Sequence, residues 1–236
     1  MPKGHLIPSV EERLRGLIEV GRRNLREHVL GKDERPYPTV TLTREFGCEG
    51  YAVAQKLQTL LEERSGQRWV VMDRALLEAV AQDHNLSARI LHDIGNKNRF
   101  LDDMLSTFSN RWKSDKDYYR LLCRQIVTLA QDGNVILVGR GAAIVTQDIG
   151  NCFHFRMVAP LSFRVGSIAA RMRLSADEAQ DLIEVRQRQR DAFLKDFLGR
   201  DISEPTLYHA IFNNARCSAA RIARLAADIV MPTEAP

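Results

Sequence analysis

The stretch TLTREFGCEGYAVAQKLQTLL, residues 41–61, joins three kinds of local pattern. Its first residues belong to TVTLT at 39–43, a run rich in β-branched side chains that favours a strand. Two glycines follow, Gly47 and Gly50, and apolar residues then recur at helical spacing, which predicts a helix over 51–66. A strand, a glycine-bearing turn and a helix form the outline of a loop that binds phosphate.

The composition indicates a globular protein with a full core. The chain has 236 residues, of which 44% are hydrophobic and 27% are charged, and its net charge is +4. These values fit one sizeable α/β domain and exclude a disordered chain. No apolar run approaches the ~18 residues of a membrane span, and the N-terminus lacks the apolar core of a secretory signal, so we expect a cytoplasmic location without membrane contact. The four cysteines and the histidines lack metal-ligand spacing, so no metal site is predicted.

Apolar β-like segments alternate with helical ones along the chain. The alternation predicts an α/β fold with a parallel sheet and right-handed crossovers. A capping box at 175–178 predicts that one helix begins there. Besides 39–43, the predicted strands are 68–73, 134–139, 152–159 and 227–231, and the helical regions after the first helix are 75–130, 161–197 and 218–227.

Residues 9–30 form a separate amphipathic pattern. Ser9 and Glu12 make a capping box, and apolar residues then recur with a period near 3.6. A linker rich in proline and charge follows before residue 38. We therefore expect an added N-terminal helix and linker at 1–37, which offers a surface for self-association or for a protein partner, and a main domain at 38–236.

The glycine-bearing turn supplies only part of what a phosphate loop usually has. Gly47 and Gly50 allow close backbone approach, and the helix that begins near Tyr51 supplies N–H groups. A Lys and a Ser/Thr normally follow for the phosphates and Mg²⁺, but here Tyr51 and Ala52 follow Gly50. The residues alone leave open a nucleotide site with altered chemistry, a nucleotide site that no longer catalyses, and an ordinary strand–turn–helix joint.

Five segments, in order, resemble the cytidylate-kinase-like family, a divergent branch of the P-loop nucleoside monophosphate kinases. The loop pattern of that family is roughly T/S-R-x-x-G-S-G-G-x-x-[IV]-A, which Arg44, Gly47, Gly50, Val53 and Ala54 fit. The other four segments are VVMDRALL at 70–77, VILVGRGAAIV at 135–145, FRMVAPLSFRVGSIAAR at 155–171 and RQRQRDAFLKDFLGRDISEPTLYHAIFNN at 186–214.

The resemblance covers residues 38–232 and carries expectations for fold and function. It implies a three-layer α/β/α P-loop NTPase-like fold with a mostly parallel five-stranded sheet, a helical acceptor-binding insertion at 85–120 and a short lid at 166–203. It also implies an ATP-dependent phosphotransferase acting on a nucleoside monophosphate, CMP or dCMP, with Mg²⁺ accompanying the nucleotide. The nucleotide-binding residues would be Arg44, Gly47, Cys48, Glu49, Gly50, Tyr51 and Ala52.

The sequence also departs from the family pattern. Cys48 stands for Ser and Glu49 for Gly, while Tyr51 takes the place of the usual Lys and Ala52 offers no hydroxyl. The central strand is followed by Arg140 rather than by an Asp that would hold Mg²⁺. Two alternatives therefore stay open: a kinase of another small acceptor, and a catalytically impaired nucleotide-binding regulatory protein.

Arginines are the candidates to supply the missing positive charge, because phosphoryl transfer depends on positioning and charge stabilisation. Arg44 precedes the loop, and Arg140 follows the central strand, where open α/β sheets bind ligands. On a helix Arg186 and Arg190 would share a face, while Arg188 would point elsewhere. The candidate catalytic residues are thus Arg44, Arg140, Arg186, Arg188 and Arg190.

The acceptor would lie at the sheet edge, between Asp73 and the helical insertion at 85–120. Asp73 ends a predicted strand there, where it would orient an acceptor or cap the next helix. The candidate acceptor-binding residues are Asp73, Arg99, Arg111 and Arg140. Acidic and basic residues alternate along the chain instead of forming one basic face, which argues against a nucleic-acid partner.

Overall fold

The computed structural model describes residues 37–73, 76 and 115–232. The predicted N-terminal helix at 9–30 lies outside the described residues, as does most of the expected acceptor-binding insertion at 85–120. The candidate residues Arg99 and Arg111 fall in that part as well.

The described residues form a sheet flanked by helices. The strands are β1 (Thr39–Arg44), β2 (Val70–Met72), β3 (Val135–Val138), β4 (Cys152–Val158) and β5 (Ala210–Asn213). The α-helices are α1 (Gly50–Ser65), α2 (Asp115–Asp132), α3 (Ala142–Val145), α4 (Leu161–Met172), α5 (Ala176–Leu198) and α6 (Ala219–Val230). Of the helices within these residues, not one combines the length and hydropathy needed to traverse a bilayer.

The sheet has the strand order β2-β3-β1-β4-β5, and every neighbouring pair is parallel. The central strand β1 therefore lies between β3 and β4, and all five carboxyl ends meet at one edge. The predicted α/β fold with a five-stranded parallel sheet is confirmed, and it is consistent with a P-loop kinase-like fold.

Two apolar cores lie on opposite faces of the sheet. On one face, Val40 and Leu42 of β1 pack with α1 and α6 in a fully enclosed cluster. On the other face, Met72 of β2 and Leu137 of β3 pack with Leu122 and other apolar residues of α2. Helices thus cover both faces of the sheet, which gives three layers. On the second face the middle strands also bury polar side chains, Thr41 of β1 and His154 of β4 among them.

The fifth strand differs from the prediction. Residues 227–231 were expected to form it, but most of them belong to α6, and the strand is β5 instead. The apolar period of α6 continues through Val230, because its buried residues recur three or four positions apart. In contrast, β5 has only one buried residue, Phe212, so its sequence carries a weak strand pattern.

The predicted helical region 161–197 is two helices. Arg173 ends α4 in the left-handed conformation, with φ of 58°. Ser175 then caps α5: its hydroxyl accepts the Glu178 N–H at 3.3 Å, and the Glu178 carboxylate accepts the Ser175 N–H at 2.8 Å. This capping box, which the sequence predicted, sets where the second helix begins.

Truncating Leu57 tests the core on the α1 side. Leu57 is 0% exposed, and we expect Leu57→Ala to lower the free energy of unfolding by about 3 kcal/mol, because lost contacts and a residual cavity both cost stability. Lys56 is its exposed neighbour, and Lys56→Ala is expected to change stability by no more than about 0.5 kcal/mol. Urea denaturation followed by circular dichroism measures both, and equal losses would contradict this packing.

Candidate functional site

The loop between β1 and α1, residues 45–49, lies at the carboxyl edge of the sheet. Its beginning is fastened to the end of β4: the Glu45 N–H donates to the Met157 carbonyl at 3.0 Å, and the Glu45 carboxylate accepts the Ala159 N–H at 2.9 Å. Because β1 has neighbours on both sides, the loop sits at the middle of this edge. Open α/β sheets bind their ligands at such positions.

The side chain of Arg44 lies beside this loop, between Gly50 and Gly139. A Cβ added at Gly139, which has φ of 83°, would lie 2.1 Å from the Arg44 Nη1 atom. A Cβ added at Gly50 would lie 3.1 Å from the Arg44 Cδ atom. The guanidinium therefore fills the space between the end of β3 and the beginning of α1, and glycine at position 139 is what allows it to do so.

Three arginines come together at this edge. Arg190 of α5 donates a hydrogen bond to the Arg44 carbonyl at 2.5 Å, and its Cζ atom lies 5.8 Å from the ring centroid of Phe46. The Arg140 Cζ atom lies 6.0 Å from the ring centroid of Phe193. Aromatic faces thus support two of the three guanidinium groups.

The clustering changes the acidity of these groups. Burial and then the charge of Arg190 lower the pKa of Arg44 to about 10; Arg140 acts in the same direction and Asp73 opposes it. Burial is also the main cause that lowers the pKa of Arg190. A guanidinium with a pKa of about 10 remains cationic near neutral pH. Positive charge is therefore concentrated where little water screens it, and an anionic ligand would relieve the repulsion.

Arg140 occupies an unusual turn between β3 and α3. Gly139, Arg140 and Gly141 have φ values of 83°, 57° and 72°, so three consecutive residues are left-handed. The Tyr119 hydroxyl donates to the Arg140 carbonyl at 3.0 Å, and the Tyr119 ring meets Phe193 edge-on with centroids 4.9 Å apart. Helices α2 and α5 thus hold a backbone conformation that a non-glycine residue seldom adopts.

Asp73 follows β2 at the same edge. Its Oδ1 atom accepts the Leu76 N–H at 3.0 Å, which is the contact that a capping side chain makes with the backbone three residues on. Its charge also reaches Arg44, whose pKa it raises. The two interpretations that the sequence left open for Asp73 are therefore compatible: the carboxylate makes the capping contact and still contributes negative charge to the site.

The residues that stand for the usual Ser, Lys and Ser/Thr pack toward the core. Tyr51 and Ala52 lie against the apolar cluster of the α1 face, and Cys48 is buried within it. Burial raises the pKa of the Cys48 thiol to about 11. The first intrahelical bond of α1 runs from the Val53 N–H to the Glu49 carbonyl at 3.1 Å, so the N–H groups before it point out of the helix end. What this loop presents to a ligand is mainly backbone.

Glu49 anchors the loop on the β5 side. Its N–H donates to Asn214 Oδ1 at 2.8 Å, and its carboxylate accepts from Asn214 Nδ2 at 3.3 Å. Asn214 is only 3% exposed and comes directly after β5. The carboxylate that departs from the family pattern therefore has a partner. The segment 186–214 that carries the family resemblance ends in Asn213 and Asn214, but sequence reasoning assigned neither of them a role in the site.

Only one of the lid candidates contacts the loop among the described residues. Arg186 is exposed, and its Nη1 atom lies 3.5 Å from Gln189 Oε1 on the same helix. Arg188 is also exposed and lines a cavity of about 950 Å³ between α4, α5 and residues 199–202. Although Arg186 and Arg190 share a face of α5, it is Arg190 that meets the loop.

Several polar residues of α4 and α5 bind the loop backbone, and sequence reasoning did not assign them this role. Gln187 Oε1 accepts the Phe46 N–H at 2.8 Å. Arg164 Nη1 donates to the Phe46 carbonyl at 3.4 Å, and Arg171 Nη2 donates to the Gly47 carbonyl at 3.0 Å. Gln187 lies one helical turn before the arginine that reaches the loop, which is the signal that could have indicated it.

Comparisons with known proteins identify the fold and the family. A cytidylate kinase from Methanopyrus kandleri is 26% identical to the chain over 163 residues, which are 65% of this chain and 82% of that protein. An uncharacterized protein from Eubacterium ventriosum, known from a crystal structure, aligns with a TM-score of 0.61 and 18% identity over 82% of this chain and 97% of that one, which supports the fold. The model of the cytidylate kinase-like family matches residues 39–216, from β1 to the turn after β5. The chain therefore belongs to the cytidylate kinase-like family.

Proposed function

We propose that this protein is a phosphotransferase that uses ATP and Mg²⁺ to phosphorylate a nucleoside monophosphate, CMP or dCMP. The observation that carries the proposal is the cluster of Arg44, Arg140 and Arg190 beside the N-terminus of α1. Phosphoryl transfer is catalysed mainly by positioning and by stabilising negative charge, which such a cluster supplies. Family membership supports a nucleotide-binding kinase, and the name of the Methanopyrus kandleri relative supports the cytidine base.

The phosphates of ATP would lie along residues 44–52. Backbone N–H groups at the beginning of α1 would bind them, since a helix N-terminus favours anions. Arg44 would take the role that the loop Lys has in related enzymes, because it lies against Gly50 and stays cationic at neutral pH. The other proposed nucleotide-binding residues, which would act mostly through their backbone, are Gly47, Cys48, Glu49, Tyr51 and Ala52.

Mg²⁺ would arrive with the nucleotide. This ion keeps several waters and is usually bound by one or two carboxylates together with substrate phosphates. Ala52 has no hydroxyl to offer, and Arg140 follows β3 in place of an Asp. The carboxylate of Asp73, at the same edge as Arg44, is compatible with holding the hydrated ion. Bound Mg²⁺ would neutralise charge on the transferring phosphates.

The acceptor would lie on the Asp73 side of the edge, with Arg140 between acceptor and donor. Arg99 and Arg111 complete the proposed acceptor-binding set, and both are outside the described residues. Arg190 would stabilise the transferring phosphoryl group, because it already meets the backbone of Arg44. Arg186 and Arg188 would add charge from the outer surface of the lid.

One observation favours a second candidate, a nucleotide-binding regulatory protein without turnover. Tyr51 and Ala52 provide neither an ammonium group nor a hydroxyl at the two positions that most directly serve catalysis in phosphate loops. In that case the arginine cluster would bind a nucleotide, but the phosphoryl group would not move. A kinase that acts on a different small acceptor would also bind ATP and would release ADP only when that acceptor is present.

A ligand panel tests these alternatives. We expect ATP with Mg²⁺, and CMP or dCMP more than UMP or AMP, to raise the melting temperature, because a ligand that binds only the folded state stabilises it. ADP release, measured in a coupled assay, should require both ATP and the stabilising monophosphate. Stabilisation by ATP without ADP release from any pair would favour the regulatory protein or another acceptor. No stabilisation by any nucleotide would contradict the proposal.

Replacing Arg44 by Met separates its charge from its volume. In the absence of ligand, Arg44→Met is expected to raise the melting temperature by about 2–4 °C, or ~1 kcal/mol, because the substitution removes a buried charge that its arginine neighbours destabilise. The same variant should lose the stabilisation by ATP. Differential scanning fluorimetry with and without ATP measures both effects. Unchanged stabilisation by ATP would show that Arg44 does not bind the phosphates.

Replacing Arg190 tests the lid. We expect Arg190→Ala to lower kcat/KM by at least about 100-fold, since removing one group that stabilises transition-state charge typically costs this much. Arg186→Ala and Arg188→Ala should cost less, because both side chains are exposed away from the loop. Arg224→Ala, which removes an exposed arginine of α6, is the matched control and should leave kcat/KM within about 2-fold, as for surface changes distant from the site. Equal losses in all four variants would contradict a specific role for Arg190.

A further inference from the structure

Besides the bonds of Glu45 with the end of β4, side chains of the α4–α5 pair bind the backbone at the beginning of the loop. Four polar backbone groups of residues 44–47 have partners there. The contacts are Arg190 with the Arg44 carbonyl, Gln187 with the Phe46 N–H, Arg164 with the Phe46 carbonyl and Arg171 with the Gly47 carbonyl. The path of the loop is therefore specified by residues more than a hundred positions away in sequence.

Gln187 differs from the other three members of this set. They are arginines that donate to carbonyl groups, whereas Gln187 accepts an N–H from the loop through its Oε1 atom at 2.8 Å. Its Nε2 atom donates to the two carboxylate oxygens of Asp191, at 2.9 and 3.1 Å. Because Asp191 can only accept when ionised, it fixes which end of the Gln187 amide faces Phe46.

Phe46 is held by α5 through both its backbone and its side chain. Its N–H binds Gln187, and its ring lies under the guanidinium of Arg190 with 5.8 Å between Cζ and the ring centroid. Gln187 and Arg190 are three residues apart, so they occupy one face of the helix. On the α4 side, a Cβ at Gly47 would lie 2.6 Å from the Arg164 Cβ atom, so the loop and α4 are in direct contact as well.

From these contacts we infer that Gln187 is a positioning residue of the nucleotide loop. Its oriented amide fixes the Phe46 peptide relative to α5 and so keeps Arg190 beside Arg44. The conformation of the loop and the position of α5 therefore depend on each other, and loss of the Phe46–Gln187 hydrogen bond makes both less well defined. The effect on nucleotide affinity rests on the proposed function, whereas the anchoring of the loop does not.

Hydrogen–deuterium exchange tests the anchoring directly. We compare Gln187→Met, which keeps the length of the side chain but has no amide, with the double variant Gln187→Glu/Asp191→Asn. The double variant keeps an acceptor oxygen for the Phe46 N–H and exchanges the donor and acceptor roles of positions 187 and 191, so that two carboxylates do not face each other. The matched control is Gln180→Met on the exposed surface of α5, where the amide donates to Glu184, at 3.2 Å. The measurements are deuterium uptake by peptides that cover 44–50 and ATP affinity by calorimetry.

In Gln187→Met we expect exchange at 44–50 to be about 5–10-fold faster, the change that loss of one buried hydrogen bond produces, and ATP affinity to fall by a similar factor. Uptake in the β3 and β4 peptides should not change. Gln187→Glu/Asp191→Asn should exchange more slowly than Gln187→Met, because the acceptor is restored, and Gln180→Met should match the wild type.

Wild-type exchange at 44–50 in Gln187→Met would overturn the inference. Faster exchange throughout the protein in this variant would also overturn it, since that outcome means general destabilisation. Identical behaviour of Gln187→Met and Gln187→Glu/Asp191→Asn would overturn it as well. If exchange at 44–50 accelerates but ATP affinity stays constant, Gln187 does not position the loop for the nucleotide. If the wild type binds no ATP, the proposed function fails, while the exchange data still decide whether Gln187 anchors the loop.

Discussion

The enclosure of a guanidinium group at the end of the central strand constrains everything around it. A charge removed from water is costly unless the protein offers compensation, and for Arg44 the opposite charge of Asp73 competes with two like charges. Space for the side chain exists only because residue 139 is glycine and turns left-handed. The rigid parallel sheet keeps these groups together, and the free energy that the clustering costs is what a polyanionic ligand would recover.

The fold could be predicted from the sequence because most of its elements are specified by residues that are close together in the chain. The β-branched run at 39–43, the apolar run at 135–138 and the capping box at 175–178 each specify an element without reference to distant residues. The exception, β5, is a short strand at the edge of the sheet with one buried residue, and its position depends on pairing with β4. The β-branched residues of 227–231 were mistaken for a strand because they end an amphipathic helix whose period had to be followed to its last turn.

The candidate site could be predicted from the sequence only in part, because several of its interactions join residues that are far apart in the sequence. Arg44 and Arg140 could be proposed because each directly follows a strand, and parallel strands end at one edge. Gln187 and Asn214, in contrast, bind residues that precede them by 141 and 165 positions. Helical periodicity identifies the face on which a residue lies, but not the point along the helix where that face meets a partner. One turn is about 5.4 Å, which is enough to separate Arg186 from the loop that Arg190 touches.

The four contacts that α4 and α5 make with the loop also bear on how this sequence could diverge. When the side chains of a loop determine its backbone conformation, substitutions in the loop change that conformation. Here the path is dictated from outside, by two helices and by Asn214, so the residues at positions 48, 49 and 51 could be exchanged while the amide groups kept their places. The segment that departs from the family pattern at positions 48, 49 and 51 is thus one whose backbone is bound by side chains from other elements. A single substitution on the side of α5 that faces the loop would therefore alter a site whose residues lie more than a hundred positions earlier in the sequence.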